Sequence, residues 1–468
     1  MKMIRFEEED IRFLALELPD SVKHYHYSAD FDAEIREIDK ILSESVPEAL
    51  KKRLLLERII AEGMKNDYHT DFSTLLSRLK TRFPNIKEHT LDALIQLGGV
   101  DYILVGGEYR FQNSAFSNIL ATRTALLETL DENGCFHTPA VQKYSGQHIN
   151  AALMAEKGGR AFKYTVTMGI TLNRDQVREG QEITVHLPYP AICDEQPCTE
   201  LLDSSHPVEI FSSDHRTASI KTAVGKDGKF FVTFSYVNKA RYTRLSPEEV
   251  CAEQPDFFTE EKLPQIRFSP LLKELAHEIC KNETNPLLKA KKIYDYLTGY
   301  FHYSYMREYL YIADIPEFAI LNRRGDCGVQ SIVFITLCRI MGIPARWQSG
   351  CTVDPDDGIG SHDWAQIYIA PYGWIPVDLS YGTGAQRRGD PQMRDYFFGN
   401  ISPFRMITCN DIQVPFSPAK KYLRMDPYDN QMGEAEYSDY GLGFGEFESK
   451  RILLSAEDVT NEYFKENE

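Results

Sequence analysis

The sequence predicts an α+β fold in several domains: a helical N-terminal domain, a β-sandwich-like domain, and a core in which a cysteine-bearing helix packs on an antiparallel sheet. Three observations predict it. Apolar positions from Phe31 to about Leu97 recur at helical spacing, residues from about Arg160 to Thr243 alternate apolar with polar, and "RRGDCGVQSIVFITLCRIMGIPAR", Arg323 to Arg346, is an almost unbroken apolar run. At 468 residues the chain is too long for one core and has room for roughly three domains. The expected boundaries are 1–130 for the helical domain, 155–248 for the antiparallel β domain, 265–403 for the core, and 404–468 for a strand-rich extension packing on that core.

In chain order, Ile35, Ile38 and Leu42 share one helix face, followed by Leu55, Ile59 and Ile60, then Leu75, Leu76 and Leu79 behind Asp71 as N-cap. Pro47 and Pro84 separate the helices. The period then changes: Phe162, Tyr164, Val166, Met168 and Ile170 alternate with Lys163, Thr165, Thr167 and Gly169, as a half-buried strand does. The same alternation returns at Ile183, Val185 and Leu187, and at Phe230, Val232, Phe234 and Tyr236 after an Asp227-Gly228 turn. An acidic, proline-bearing segment, "LSPEEVCAEQPDFFTEEKLPQ", leads to helical patterning from Ser269 through Leu297. Past Phe404 the chain is strand-like and turn-rich, and the glycines of "YSDYGLGFGEF" read as turns, since they do not open a helix after a strand.

Composition excludes several classes. The net charge of −17 is spread along the chain with no Lys/Arg block, so nucleic acid is not an expected partner. No stretch reaches the about 18 apolar residues of a membrane span, and the start lacks the apolar run and cleavage site of a signal peptide. A cytoplasmic location is expected, although a trimmed leader would leave the same sequence. Nine scattered cysteines suit reduced thiols. No metal or cofactor is expected. Cys193 and Cys198 in "CDEQPC" have the wrong spacing for zinc, Asp354, Asp356 and Asp357 lack the glutamate that closes an EF-hand, and His24 and His26 in "KHYHY" have no assignable further ligands.

The chemistry concentrates around Cys327. The apolar run after it ends at Gly342 with Pro344 beyond, the signature of a buried helix, so Cys327 opens the helix where free amides and the dipole favour a thiolate. Cys338, mid-helix, is packing. In "SHDWAQIYIAPYGWIPVDLSYG", His362 opens a strand to Ile369, a turn near Pro371 and Gly373 reverses the chain, and Trp374 to Leu379 returns. Asp378 then lies opposite Ala365, within a residue, in diagonal reach of His362. Each of the three residues alone has an ordinary structural reading; together they follow the order of nucleophile, base and orienter.

The blocks "NRRGDCGVQSIVFITLCRIMGIPARWQSG", "SHDWAQIYI" and "GWIPVDLS" resemble the transglutaminase-like superfamily of papain-like fold: Gly-x-Cys opening a helix, a Gly-Ile-Pro-Ala-Arg turn, His-x-Trp, then Gly-Trp-x-x-x-Asp. The resemblance spans roughly Pro286 to Pro403, and departs only where many members continue Asp-Pro-Thr and this chain has Asp378-Leu379-Ser380. It implies a papain-like transglutaminase core with Cys327 as nucleophile, His362 as general base and acid, and Asp378 as orienter. The oxyanion would be met by the Cys327 N–H and a second donor, for which "FHYSYM" offers Tyr303 and Tyr305. Trp364 and Trp374 either wall the acyl site or belong to the core, and Asp326 either rejects acidic substrates or caps the helix. The implied function is acyl transfer on peptide or protein amides through a thioester, with hydrolysis favoured; protein-glutamine transamidation and a non-catalytic peptide-binding scaffold are the alternatives. Oligomeric state is not readable from the sequence.

Overall fold

The computed structural model describes residues 6–137, 145–211, 216–426 and 428–464. Its centre is the helix Cys327–Ile340, buried at every position from Cys327 to Arg339. Such a helix has no solvent face, which explains the continuous apolar run. Asp326 caps its start, its Oδ1 accepting the Val329 N–H at 3.1 Å, and Gly342, at φ +72°, ends it in the left-handed region.

The helix lies on a four-stranded antiparallel sheet ordered Gly373–Val377, Gly358–Ile369, Ala345–Asp354, Arg405–Cys409. Strand alternation divides the faces. Trp347, Ala365, Ile367, Ile369, Ile375 and Val377 join the helix in one apolar cluster, whereas Trp364 and Ile407 pack with Ala191 and Ile401 in another.

The helices Phe31–Leu42 and Glu48–Asp67 behave as the periodicity predicts, and Asp71 caps Phe72–Arg82 through the Thr74 N–H at 2.7 Å. The region is not one packing unit, however. Phe6, Leu56, Ile60, Met64 and Tyr68 share the apolar cluster of the Cys327 helix, while residues from Leu75 to Leu127 form their own. A small sheet of Thr70–Asp71, Tyr102–Val105 and Glu108–Phe111, too short for periodicity to reveal, sits beside the second cluster. Asp101 ties this region to the core: it is buried, accepts from Tyr68 Oη at 2.7 Å, and pairs with Arg307 and Arg324 at 2.8 Å.

Two four-stranded antiparallel sheets form the β domain. One runs Glu434–Tyr437, Glu182–Pro188, Thr217–Ala223, Glu209–Ile210; the other runs Phe447–Asp458, Gly159–Leu172, Lys229–Arg241, Thr199–Ser204. Their inner faces meet in a shared apolar cluster. The expectation that residues 404–468 pack on the core as an extension is thereby corrected. Arg405–Cys409 enters the core sheet, but Glu434–Tyr437 and Phe447–Asp458 each supply an outermost strand of the sandwich. The reason is the edge of the long strand Gly159–Leu172, which pairs from Phe162 opposite Asp458 to Leu172 opposite Phe447. Among the described residues, no helix is long and apolar enough to cross a membrane.

Candidate functional site

Cys327 is the first residue of its helix and is 9% exposed. The site around it needs glycine at the next position: a Cβ on Gly328 would run into Tyr309 Oη, Asp363 and Trp347. Upstream, His302–Tyr303 pairs in parallel with Arg324–Gly325, setting Tyr303 beside the turn into the helix.

His362 and Asp378 meet across adjacent strands. Ala365 lies opposite Val377, one residue from the expected register, and Asp378 follows as the N-cap of Leu379–Arg387. Its Oδ1 accepts the Tyr381 N–H at 3.0 Å, which leaves Oδ2 for His362 Nε2 at 2.8 Å. Both residues are buried. Because the Asp378 carboxylate accepts the Nε2–H hydrogen bond, the neutral ring carries its lone pair on Nδ1.

The sequence reading missed Arg405, whose Nη2 donates to the same Asp378 Oδ2 at 2.7 Å. Its guanidinium lies 4.8 Å from the Trp364 ring and 5.0 Å from that of Tyr381, which in turn is 4.8 Å from His362. Burial raises the Asp378 carboxyl, but His362 and Arg405 outweigh it and hold the group far below the usual range. For His362, burial dominates and lowers its pKa; Asp378 pulls upward and Arg405 adds to the lowering.

The thiol of Cys327 has a different partner from the one expected. It donates to Asp363 Oδ2 at 3.3 Å. Burial first, then the Asp363 and Asp326 carboxylates, push the thiol well above its ordinary value, so the helix terminus does not yield a resting thiolate. Asp363 is itself pushed up to about 7 by burial, and Gln431 donates to its Oδ1. A signal for Asp363 existed in the sequence: it is the polar member of the inward half of an alternation that continues through Ala365, Ile367 and Ile369.

Cys327, Asp363, Tyr303, Tyr305 and Asp326 line one cavity of about 580 Å³. Of the two readings open for Trp364 and Trp374, packing is the one the structure shows. Trp364 is buried on the other face of the sheet and donates to Gln348 Oε1 at 2.6 Å. Trp374 packs with Phe257, Phe258 and Tyr368, under the Arg346 guanidinium. Neither lines the cavity. The tryptophan that does is Trp347. Asp326 both caps the helix and faces the cavity, and Tyr309, which the sequence reading passed over, donates to it.

Elsewhere, Asp354 Oδ1 accepts the Asp356 N–H at 2.9 Å in an acidic turn, and all nine cysteines are free. The expectation that no further ligand-type residues join His26 is corrected, because the fold brings its Nδ1 to 3.2 Å from Glu34 and 2.8 Å from Glu57. Arg53 shares Glu57 at 2.7 Å. Burial would lower His26, but its hydrogen bonds to the two glutamate carboxylates hold it up to about 10, and the histidine is itself the cation of the cluster.

The fold and site define a class: a mixed α/β core that sets a cysteine at a buried helix terminus against a sheet bearing a buried His–Asp pair. Residues 273–379 match the model of the transglutaminase-like superfamily. The chain is 27% identical over 169 residues to an uncharacterised protein of Haemophilus influenzae, covering 29% of this chain and 45% of that one. It is 26% identical over 129 residues to the uncharacterised protein YebA of Bacillus subtilis, covering 24% and 17%. It thus spans less than half the length of these relatives. Among solved structures, a candidate cysteine protease from Cytophaga hutchinsonii is 14% identical, with a TM-score of 0.41 over 64% of this chain and 91% of that one.

Proposed function

We propose that the chain is a thiol-dependent acyl-transfer enzyme that hydrolyses peptide or protein amides, with Cys327, His362 and Asp378 as its triad. The buried 2.8 Å contact between His362 Nε2, on the strand that packs against the Cys327 helix, and Asp378, at the start of the helix Leu379–Arg387, is the observation that carries this reading. Asp378 fixes the tautomer, leaving Nδ1 as the base. In this reading the Cys327 proton leaves its Asp363 contact for His362 Nδ1; His362 is not among the described residues that line the Cys327 cavity, so the step requires the imidazole to swing toward the thiol. The thiolate attacks the amide carbonyl, the imidazolium returns the proton to the departing amine, and water activated by the same imidazole hydrolyses the thioester. The Cys327 N–H and a tyrosine hydroxyl from Tyr303 or Tyr305 are the donors proposed for the oxyanion.

Transamidation uses the same first half-reaction with an amine in place of water. A peptide-binding scaffold is the second reading, and the observation that favours it is the low exposure of the nucleophile: Cys327 is 9% exposed, in a cavity that Asn113, Asn118, Met425 and Gln431 help to line.

Turnover of a peptide-amide library with and without a primary amine tests these readings together. Hydrolysis predicts new termini or ammonia without added amine. Cys327→Ala and His362→Ala should each lose about 10³-fold or more, and Asp378→Asn less than His362→Ala. Amine incorporation into a glutamine peptide without hydrolysis would move the reading to transamidation. Turnover unchanged in Cys327→Ala would overturn both.

A further inference from the structure

We propose that the chain carries a second ligand site, apart from the Cys327 cavity: Arg123, His302, Arg323 and Arg387 together take a doubly charged tetrahedral oxyanion of the phosphate or phosphate-monoester kind. None of the four lines the Cys327 cavity, and the site stands whether or not the acyl-transfer reading does.

One short strand sets the geometry. Phe301 is extended, and His302–Tyr303 pairs with Arg324–Gly325 along one edge, where the His302 N–H donates to Arg323 O at 3.0 Å. The carbonyls of Phe301 and Tyr303 then both point to the other edge. Arg387, at the end of Leu379–Arg387, donates there through Nη2 to Phe301 O at 2.6 Å, and Arg123, from Ala115–Leu127, donates through Nη2 to Tyr303 O at 2.6 Å. At a rise of about 3.3 Å per residue, the two guanidiniums stand about 7 Å apart with His302 between them. The turn after the helix Glu88–Gln96 passes against both: a Cβ on Gly98 would lie 3.5 Å from His302 Cβ, and one on Gly99 would lie 3.2 Å from Arg123 Nε. Arg323 joins from the left-handed C-cap of Ile315–Asn322, at φ +55°, a position that glycine usually fills, and its guanidinium lies 4.9 Å from the Tyr300 ring.

The charge at this place is uncompensated. The chain carries a net charge of −17, yet among the described residues none of the three guanidiniums forms an ion pair. Their hydrogen bonds go to carbonyls, those to Thr122 and Gly299 included, which anchor a cation without neutralising it. In each case the neighbouring charge is another cation: burial and then Arg387 lower Arg123 to about 10, burial and then Arg323 lower Arg387, and burial, then Arg387, Arg123 and Arg323, lower His302 to about 4. The idle donors are also open. Arg323 and Arg387 are exposed, and Arg123 Nε and both His302 ring nitrogens, which have no partner among the described residues, are not sealed from solvent. Guanidinium forks fit tetrahedral oxyanions through charge-assisted bonds of about 2.8 Å, and one such anion bridges a gap of this size. Two negative charges offset the cluster where a single carboxylate offsets only part of it.

Calorimetry on the full chain at constant ionic strength, at about pH 7.5 where a phosphate monoester is mostly dianionic, tests the site. Inorganic phosphate should bind saturably at one site per chain, and acetate should not. Arg323→Met and Arg387→Met should each weaken phosphate by about tenfold or more, the loss of one charge-assisted contact, and the two are chosen so that a folding defect in one leaves the other. Nα-acetyl-O-phosphoserinamide separates the two sources of the same chemistry: tighter binding than inorganic phosphate assigns the site to a phosphoryl group carried on a peptide, and weaker binding assigns it to the free ion. The His302 ring reports the place. Its titration, followed by NMR, should move upward when phosphate is present and stay where it is in matched chloride, because a bound anion outweighs the arginines that now hold the ring neutral. Heats that do not saturate, equal affinity in wild type and both variants, or phosphate binding that leaves the His302 titration unmoved would each overturn the proposal, and none of these outcomes bears on the chemistry at Cys327.

Discussion

At the scale of single residues, the decisive contact is the one between Cys327 and Asp363. A cysteine at a helix N-terminus ordinarily gains thiolate character, yet here burial first, and then a carboxylate 3.3 Å away, reverse the sign. Burial favours the neutral form of both groups, raising the thiol and lowering His362. Thiolate content therefore falls as pH falls through the raised thiol value, and iodoacetamide labelling of the wild type should climb through about pH 9 without an inflection below the free-thiol value of about 8.5. Asp363→Asn removes the repulsion while keeping the side chain's shape. Its labelling curve should move to lower pH, and each step of about one pH unit in its midpoint means about tenfold more thiolate at about pH 8. An unmoved curve would mean that desolvation alone sets the thiol, and a wild-type inflection below about pH 8 would mean that the thiol rests on His362 in solution.

At the scale of elements, what was legible in the sequence was whatever a short segment carries. The Cys327 helix was readable from its apolar run and its glycine stop, and the His362–Asp378 pairing from one hairpin whose register is fixed within a residue. Arg405 was not readable, because it reaches Asp378 from a strand that has no local pattern marking it as a partner of that hairpin. The inward turn of His26 depends likewise on two glutamates from separate helices. Arg405 is fully buried, so its loss strands a carboxylate that His362 can neutralise only when protonated. Arg405→Met should cost about 3–5 kcal/mol in urea unfolding, the range for breaking a buried pair from one side. A loss below about 1 kcal/mol would mean that Asp378 accepts a proton instead and that the stack on Trp364 and Tyr381 matters more than the ion pair.

At the scale of the molecule, the cavity is a junction and not a feature of the core alone. Asn113, Ser114 and Asn118 come from the N-terminal region, Cys327 and Asp363 from the core, and Met425, Gln431 and Phe444 from the segment that returns to the sandwich. The strand Phe447–Asp458 closes this circuit. It covers Gly159–Leu172 on one side, while Arg451 donates to Ser361 Oγ at 2.7 Å, beside His362. Sequence patterning left this strand without a partner, since the strand it pairs with lies almost 300 residues earlier and a period of two specifies a face but not a neighbour. Removing residues 447–464 should therefore act at a distance. The edge from Phe162 to Leu172 would lose its ladder, and its long apolar alternation would become a template for pairing with other chains. The expected outcome is a truncated chain that elutes as larger species in size-exclusion chromatography, with β-domain segments cut first in limited proteolysis and Ser361 freed from Arg451. A truncated chain that keeps the elution volume and Tm of the full protein would show instead that the three remaining strands of that sheet suffice, and that the last strand serves the region around Ser361 rather than the sandwich it completes.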